Sequence, residues 1–268
     1  MHNTDKTTSP YRLIQITDTH LGGRPGEQLL GLDTDESFLD VLHALKQTEP
    51  GCDLVVASGD ITSDGHIEAY ERFLRGVKTH LPCPVSWLAG NHDLDSAMRQ
   101  FSADQVKRDY IELEHWQIIL LDSSVPGHEY GEIRRSELQR LRELLDRCDK
   151  PALVFVHHQP VAVGCDWIDQ YVIKNAPELL DLLAQYPRVK GLSWGHVHQE
   201  FVSQYAHFAL YSSPSTCIQF KPNSQDFALD EKMPGYRWFD LSPEGNLMTG
   251  IERIPEKTYG IDFASAGY

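Results

Sequence analysis

The chain has 268 residues, of which 41% are hydrophobic and 24% are charged, a composition that excludes a disordered or fibrous protein. Its 24 Lys and Arg residues against 39 Asp and Glu residues give a net charge of −15, which argues against nucleic acid or an anionic membrane as a partner. Five scattered cysteines without a C-x-x-C pair, a polar first segment and the lack of any apolar run near ~18 residues predict a cytoplasmic protein with reduced thiols and no signal peptide.

Short apolar runs alternate with amphipathic stretches over the first two thirds of the chain. In chain order we expect strands at 13–17, 54–57, 85–89, 117–121, 152–156 and 189–194, with helices at 35–48, 67–79, 95–101, near 137–147 and near 177–186. Continuous apolar strands that alternate with helices are typical of an α/β fold with buried sheets.

The pattern changes after residue 198. Short β-like runs at 201–204, 208–212, 236–241 and 247–254 are separated by turns rich in Pro, Gly, Asn and Ser. They predict antiparallel additions to a sheet. Because no linker or low-complexity tract interrupts the chain, we expect one domain over 1–268, with 201–268 as its β-rich extension.

Polar side chains follow the carboxyl ends of five predicted strands. They are Asp18 with His20, then Asp60, then Asn91 with His92 and Asp93, then His157, and last His196 with His198. Loops at this edge of an α/β sheet converge on ligands, so we expect these residues to form one site. Gly59, Gly90 and Gly195 each stand directly before such residues, and a residue without Cβ permits a sharp turn there.

Carboxylate, amide and imidazole groups together form a typical set of metal ligands. The mixture favours iron or manganese, with zinc, cobalt and magnesium as alternatives. Seven ligands are too many for one ion: Asp18, His20, Asp60, Asn91, His157, His196 and His198. Two cations ~3.5–4 Å apart and bridged by Asp60 would use all of them, polarise a phosphoryl oxygen and supply hydroxide near neutral pH. The sequence therefore predicts a dinuclear centre for phosphate chemistry.

The same residues resemble the signature of the calcineurin-like metallophosphoesterases. The motifs are D-x-H at 18–20, G-D at 59–60, G-N-H-D at 90–93, H-H at 157–158 and G-H-x-H at 195–198, in the order of that family. The segments ITDTHL (16–21), GCDWIDQ (164–170), STCIQFKP (215–222) and the final Gly-Tyr are similar to bacterial class III 3′,5′-cyclic AMP phosphodiesterases. One departure is Gln159, where relatives carry a third histidine.

This resemblance implies a fold, an activity and a division of the ligands. The fold would be a four-layer α-β-β-α sandwich, and the activity the hydrolysis of 3′,5′-cyclic AMP to 5′-AMP. One cation would bind Asp18, His20, Asp60 and His198, and the other Asp60, Asn91, His157 and His196. In extended backbone, residues two apart point to the same side, which would bring the members of the D-x-H and G-H-x-H pairs together.

His92 is expected to act as a general acid instead of a ligand. A cyclic diester has a poor alkoxide leaving group, and an imidazolium that donates a proton contributes ~10²–10⁴-fold. Asp93 would orient this ring and keep it protonated. The expected reaction is in-line attack of metal-bound hydroxide on phosphorus, which opens the ring at the 3′ oxygen.

Several further assignments concern the substrate and the other polar residues. The expected substrate contacts are His20, Asn91, His92, His198 and Trp167. Trp167 either packs at the sheet edge or stacks on the base. His158 either is a core residue or lies behind the ligands, and Cys165 and Cys217 are expected to be buried small residues. The remaining histidines are predicted to lie outside the site: His2, His43, His66, His80, His115, His128 and His207.

Two other functions stay open at this stage. The chain could be a broader phosphodiesterase or phosphomonoesterase acting on glycerophosphodiesters, nucleotides or phosphoproteins, because the dinuclear core is common to all of these. It could also be a non-catalytic metal-binding scaffold, although a scaffold does not need the His92–Asp93 pair. We expect a small-molecule partner, cyclic AMP, with no nucleic acid or membrane partner, and a monomer or homodimer.

Overall fold

The structure, a computed structural model, describes residues 9–49, 51–104, 106 and 109–267, of which 102–104 are described by their backbone only. His2 and the final residue, Tyr268, lie outside these residues.

The described residues form fifteen strands and six α-helices. The strands are β1 (Tyr11–Ile16), β2 (Gln28–Leu29), β3 (Leu32–Asp33), β4 (Leu54–Ala57), β5 (Val85–Trp87), β6 (Tyr110–Glu112), β7 (Gln117–Leu120), β8 (Ala152–Phe155), β9 (Val189–Trp194), β10 (Phe201–Tyr205), β11 (Phe208–Ser212), β12 (Gln219–Phe220), β13 (Leu229–Asp230), β14 (Gly235–Leu241) and β15 (Leu247–Arg253). The helices are α1 (Thr34–Thr48), α2 (Ile67–His80), α3 (Asp95–Met98), α4 (Arg135–Arg147), α5 (Asp166–Asp169) and α6 (Ala176–Ala184).

Most of these strands belong to two large sheets. The first has the order β15-β14-β1-β4-β5 and the second the order β10-β11-β9-β8-β7-β6. Strands β1, β4 and β5 run parallel to one another, as do β7, β8, β9 and β11. Parallel strands of one sheet end at the same edge, so the loops after β1, β4 and β5 lie together, and so do those after β8 and β9.

Three apolar clusters show how the layers are stacked. Between the sheets, Leu13 of β1 and Phe155 of β8 belong to one buried cluster. Phe73 of α2 packs against the outer face of the first sheet, and Leu141 of α4 against that of the second. Each sheet therefore has the other sheet on one face and helices on the other. This arrangement confirms the expected α-β-β-α sandwich and explains why the central strands are apolar without alternation.

The C-terminal strands differ in one respect from the antiparallel additions that we expected. Strands β14 and β15 do extend the first sheet in antiparallel fashion beside β1. Strand β11, however, pairs parallel to β9, while β10 is antiparallel to β11. After β9 the chain turns back and forms β10, which runs opposite to β9. It then turns again and forms β11 between β10 and β9, so β11 has the same direction as β9. The single domain stays a prediction. The pairing of β14 with β1 favours it, because a C-terminal strand then belongs to the same sheet as the first strand.

Smaller differences concern short elements. The helix expected at 95–101 is the single turn α3 followed by a 3-10 helix at Arg99–Asp104. The two-residue strands, the three-residue strand β6 and α5 were not predicted, because elements this short carry no measurable periodicity. Among the described residues, no helix combines the length and the apolar character needed to cross a lipid bilayer.

Candidate metal centre

Five of the seven predicted ligands have a left-handed backbone. Their φ angles are 54° at Asp18, 45° at His20, 49° at Asp60, 63° at His196 and 44° at His198. Such a residue costs on the order of 1–3 kcal/mol when it is not glycine, and it persists only where the surrounding structure imposes it. The expectation of extended backbone in the two paired motifs is therefore wrong. Left-handed turns, and not strand alternation, direct these side chains.

Two of the preceding glycines are required for different reasons. Gly59 has a φ of 99°, a conformation that favours glycine and agrees with the predicted sharp turn. Gly90 is required by proximity instead, because a Cβ at this position would lie 2.8 Å from Cγ of Asp60. The loops after β4 and β5 thus approach each other more closely than a side chain would allow.

Asp18, His20 and His198 form one compact group, here named the Asp18 cluster. Nε2 of His198 lies 3.3 Å from Oδ1 of Asp18 and 3.1 Å from Nε2 of His20. All three side chains are buried. Nδ1 of His198 donates a hydrogen bond to the carbonyl of Ile218 at 2.9 Å, so Nε2 of the neutral ring carries the lone pair.

Asn91, His157 and His196 form the second group, here named the His157 cluster. Nε2 of His157 lies 3.2 Å from Oδ1 of Asn91, and the rings of His157 and His196 are 5.1 Å apart. Nδ1 of His157 donates to the carbonyl of Ser58 at 2.8 Å, so Nε2 faces the site and offers its lone pair to a cation when the ring is neutral. His158 packs behind this cluster, 4.8 Å from His196 between ring centroids.

Asp60 lies between the two clusters. Its Oδ2 atom is 3.2 Å from Nε2 of His157 and 3.8 Å from Nε2 of His20. One carboxylate oxygen therefore faces an imidazole of each cluster. A carboxylate that bridges two cations would occupy such a position.

The protonation states of the predicted ligands suit cation binding, except that His157 must lose a proton before its Nε2 atom can bind a metal ion. Burial lowers the pKa of His20 to about 3 and that of His196 well below its usual value. Burial opposes the charged forms of Asp18 and Asp60, but the neighbouring imidazoles lower the pKa of both carboxyls. Desolvation also opposes the charged form of His157, yet the nearby Asp60 charge raises its pKa to about 9. Two buried carboxylates thus stay ionised and need positive charge beside them.

The residues present fit a pair of metal ions. The Nε2 atoms of His20 and His198 face each other at 3.1 Å, and a cation can accept both lone pairs. Nε2 of His196 is buried and has no hydrogen-bond partner among the described residues. Buried polar atoms without partners are costly, so a ligand role explains their placement better than a structural one.

His92 lies at the same site, but Asp93 does not hold it as expected. Nδ1 of His92 donates to the carbonyl of Ser63 at 2.9 Å, and its ring centroid is 4.9 Å from that of His20. Both oxygens of Asp93 are instead directed at donors of the surrounding loops: N of Gly90 at 3.0 Å, N of Ile61 and of Thr62 at 3.2 Å each, and the hydroxyl of Tyr70 at 2.9 Å. Burial and the charge of Asp60 raise the pKa of Asp93 to about 6. The orienting acceptor of His92 is therefore a backbone carbonyl.

The segment 215–220 supports the Asp18 cluster, a role that the sequence did not suggest. The hydroxyl of Ser215 donates to the carbonyl of Asp18 at 2.8 Å. The Phe220 ring stacks on His198 at 4.1 Å, with an angle of 8° between the planes. Nε2 of the buried Gln219 donates to the carbonyl of Ile218, which itself accepts from His198. The sequence showed the STCIQFKP motif only as a resemblance to a family. Its contacts with Asp18 could not be predicted, because the two segments are far apart in the sequence.

Four other positions singled out in the sequence take structural roles. Trp167 packs edge-on against Phe220 at 4.8 Å and against Phe227 at 5.0 Å between ring centroids. Gln159 is buried and donates to the carbonyl of Ile168 in α5 at 2.8 Å, so its side chain stabilises that helix. Cys165 and Cys217 are buried and all five cysteines are unpaired, as expected.

Comparison with known proteins finds relatives that match most of the chain. The profile of the calcineurin-like phosphoesterase family matches residues 11–200. The chain is 40% identical over 268 residues to the 3′,5′-cyclic adenosine monophosphate phosphodiesterase CpdA of Pseudomonas aeruginosa, covering 99% of this chain and 98% of that protein. It is 41% identical over 262 residues to the CpdA of Escherichia coli K12, covering 96% of this chain and 94% of that protein.

Solved structures show the same fold. A dimetal phosphatase from Danio rerio matches with a TM-score of 0.58 and 17% identity, covering 92% of this chain and all of that one. The purple acid phosphatase PPD1 of yellow lupin matches with a TM-score of 0.68 and 13% identity, covering 94% of this chain and 53% of that one. The chain belongs to the calcineurin-like phosphoesterase family.

Proposed function

We propose that this protein hydrolyses 3′,5′-cyclic AMP to 5′-AMP at a dinuclear metal centre. The observation that carries the proposal is the position of Asp60, whose Oδ2 atom faces a histidine of each cluster. The substrate is inferred from relatives about 40% identical over their whole length that are named cyclic AMP phosphodiesterases.

Seven residues would hold the cations, divided between the two clusters with Asp60 shared. They are Asp18, His20, Asp60, Asn91, His157, His196 and His198. Bound cations would polarise the phosphoryl oxygens and provide a water-derived nucleophile near neutral pH. The combination of imidazole nitrogen and carboxylate oxygen favours iron or manganese over calcium or magnesium. Asn91 is a neutral ligand, which keeps the site attractive to an anionic diester.

His92 would protonate the departing 3′ oxygen. Because a carbonyl can only accept, the hydrogen bond from Nδ1 to Ser63 keeps a proton on Nδ1. The proton that the ring transfers is therefore the one on Nε2. This assignment needs no carboxylate partner, which agrees with the engagement of Asp93 elsewhere.

Two sets of measurements test the proposal. On protein loaded with metal, kcat/KM for cyclic AMP should exceed the values for cyclic GMP, a 2′,3′-cyclic nucleotide and bis(4-nitrophenyl) phosphate. A preference for a monoester or a glycerophosphodiester would favour the broader hydrolase, since the metal centre alone does not discriminate these substrates. Removal of metal by a chelator should abolish turnover, and addition of Mn²⁺ should restore it. A protein that binds metal but turns over none of these esters would be a scaffold.

The proposed cellular location is inferred from the cysteines. Unpaired cysteines are in keeping with a reducing compartment, so we propose a cytoplasmic enzyme that acts as a monomer or homodimer.

A further inference from the structure

Two residues of the candidate centre reach solvent. Among the predicted ligands and His92, only Asn91 and His92 are partly exposed. The others are almost fully buried: Asp18, His20, Asp60, His157 and His198 are at most 1% exposed, and His196 is 6% exposed. Asn91 and His92 line a cavity of about 500 Å³, which none of the buried predicted ligands lines. A substrate held by the cations would project its remaining atoms into this space.

Two apolar walls from different sheets line the cavity. Leu94, which follows the G-N-H-D motif, forms one wall and is 53% exposed, an unusual state for a leucine beside a polar site. The second apolar part of the lining comes from the turn 125–128 after β7, which contributes Val125 and Pro126. The cavity here named the Leu94–Val125 cavity therefore spans the two sheets at their carboxyl edges.

Both walls are held in place without a ligand. The backbone N–H of Leu94 donates to the hydroxyl of Tyr70 at 3.0 Å. The turn 125–128 is closed by a hydrogen bond from N of His128 to O of Val125 at 3.0 Å. Pro126 restricts φ at its second position, and Gly127 has a φ of 76° at its third, the pattern of a rigid type II turn. Preformed walls bind a ligand without the entropy loss of ordering a loop.

The polar groups around the cavity disfavour an anionic occupant. Asp64 and Asp95 line it together with Ser63, Ser96 and Ser124. Carboxylates repel a second phosphate group, whereas hydroxyls can hydrogen-bond to a sugar or a base. An uncharged, flat, partly polar group is the occupant that this combination suits.

We propose that the Leu94–Val125 cavity binds the nucleoside half of the substrate, with the base between Leu94 and the turn 125–128. This inference rests on the proposed function, because it assumes a nucleotide whose phosphate lies at the metal centre. The volume of about 500 Å³ falls within the range of small-molecule pockets, roughly 300–1,000 Å³. The competing position is beside Trp167, whose ring already packs against Phe220 and Phe227.

The test compares two competitive inhibitors that differ only by the nucleoside. Protein loaded with Mn²⁺ hydrolyses bis(4-nitrophenyl) phosphate while 5′-AMP or inorganic phosphate is added. In the double variant Leu94→Ala and Val125→Ala, the inhibition constant of 5′-AMP should rise about 10-fold, because contacts worth roughly 1.4 kcal/mol are lost. The constant of phosphate should stay within about 2-fold of the wild-type value, which also reports an intact metal centre.

Matched variants make each result decisive. Leu39→Ala removes an exposed leucine on α1 (39% exposed) and should change neither constant, whereas Leu94→Met keeps the side-chain volume and should preserve 5′-AMP binding. An unchanged 5′-AMP constant in the double variant, or an equal rise for both inhibitors, overturns the proposal. So does a selective rise in Trp167→Ala alone. If the wild type binds 5′-AMP in this cavity but does not hydrolyse cyclic AMP, the proposed function fails and the cavity assignment remains.

Discussion

The Asp18 cluster and the G-N-H-D loop (90–93) meet at one site but differ in burial and in the origin of their supports. Asp18, His20 and His198 are at most 1% exposed, and Ser215 and Ile218, about 200 residues from Asp18, contact the cluster. The loop is partly exposed and is held by the segment after β4, through Asp60, Ser63 and Thr62.

This difference separates two tasks. The Asp18 cluster is buried and held by hydrogen bonds to Ser215 and Ile218, which suits ligands that must hold a cation in one geometry. The G-N-H-D loop combines a predicted ligand, Asn91, with the proposed acid, His92, at the partly exposed side, where we propose that the substrate binds. Asp60 connects them, because its Oδ2 atom faces His20 and His157 while its Oδ1 atom accepts from N of His92 at 2.9 Å.

The largest expected effect comes from removing this connection. Asp60→Asn keeps the shape but replaces one of the two carboxylate oxygens and removes the negative charge between the clusters. Changes in groups that merely support ligands cost about 10–100-fold, so loss of a shared ligand should cost more than that and eliminate stoichiometric binding of two metals. Elemental analysis and kcat measured together check this. Asp149→Asn, at a side chain that is 98% exposed, is the control. Two metals and full turnover in Asp60→Asn would contradict the bridging role.

The next effect concerns the partly exposed side. His92→Ala should lower kcat for cyclic AMP by about 10²–10⁴-fold, because the alkoxide leaving group then departs without a proton. The loss for bis(4-nitrophenyl) phosphate should be much smaller, since nitrophenolate leaves readily. Metal content should remain at two ions per chain. Equal losses for both substrates would show that His92 acts through the metals and not as an acid.

The residues of the site were predictable because chemistry-bearing groups follow strand ends. Asp18, Asp60, Asn91 and His157 each come after an apolar run, and parallel strands bring such positions to one edge. Local spacing could not predict the left-handed backbone, however. Asp18 and His20 adopt it because N of Asp18 and N of His20 bond to the carbonyls of Gly59 and Asp60, contacts that exist only after β1 and β4 have paired.

The supports were less predictable than the ligands for the same reason. Gln219 and Ser215 lie in a stretch without periodicity, and their partners are carbonyl groups, which every residue has. The parallel pairing of β11 with β9 likewise depends on how a hairpin folds back and not on its composition. Sequence patterns report side-chain chemistry and periodicity, whereas these contacts involve the backbone of distant segments.

A smaller, one-sided effect is expected at Gln219. Its Nε2 atom lies 2.8 Å from O of Ser215 and 3.2 Å from O of Ile218, and its Oε1 atom accepts from Arg253 at 2.9 Å. Gln219→Leu should loosen the acceptor of His198 and weaken one of two Mn²⁺ sites by about 10–100-fold, while the other site keeps its affinity. Calorimetric titration with Mn²⁺ resolves the two sites. Gln204→Leu, on the exposed part of β10, is the control. Equal weakening of both sites would indicate a general loss of stability instead.

The smallest effect on catalysis is expected at Asp93, although the motif places it beside the proposed acid. Its oxygens accept from N of Gly90, Ile61 and Thr62, so Asp93→Asn replaces one charged acceptor by an amide that cannot serve the same donors. The free energy of unfolding should fall by about 1–3 kcal/mol in a denaturant titration.

Asp93→Asn should keep the wild-type ratio between the turnover of a substrate with a poor leaving group and that of one with a good leaving group. The reason is that Ser63, and not Asp93, orients His92. The ratio of kcat for cyclic AMP to kcat for bis(4-nitrophenyl) phosphate measures this directly. A ratio as low as that of His92→Ala would mean that the carboxylate controls the acid through a contact made only with substrate bound. An unchanged ratio together with lower stability would mean that Asp93 stabilises the contact between the loops after β4 and β5. His92 would then be the only residue of the G-N-H-D motif that transfers the proton.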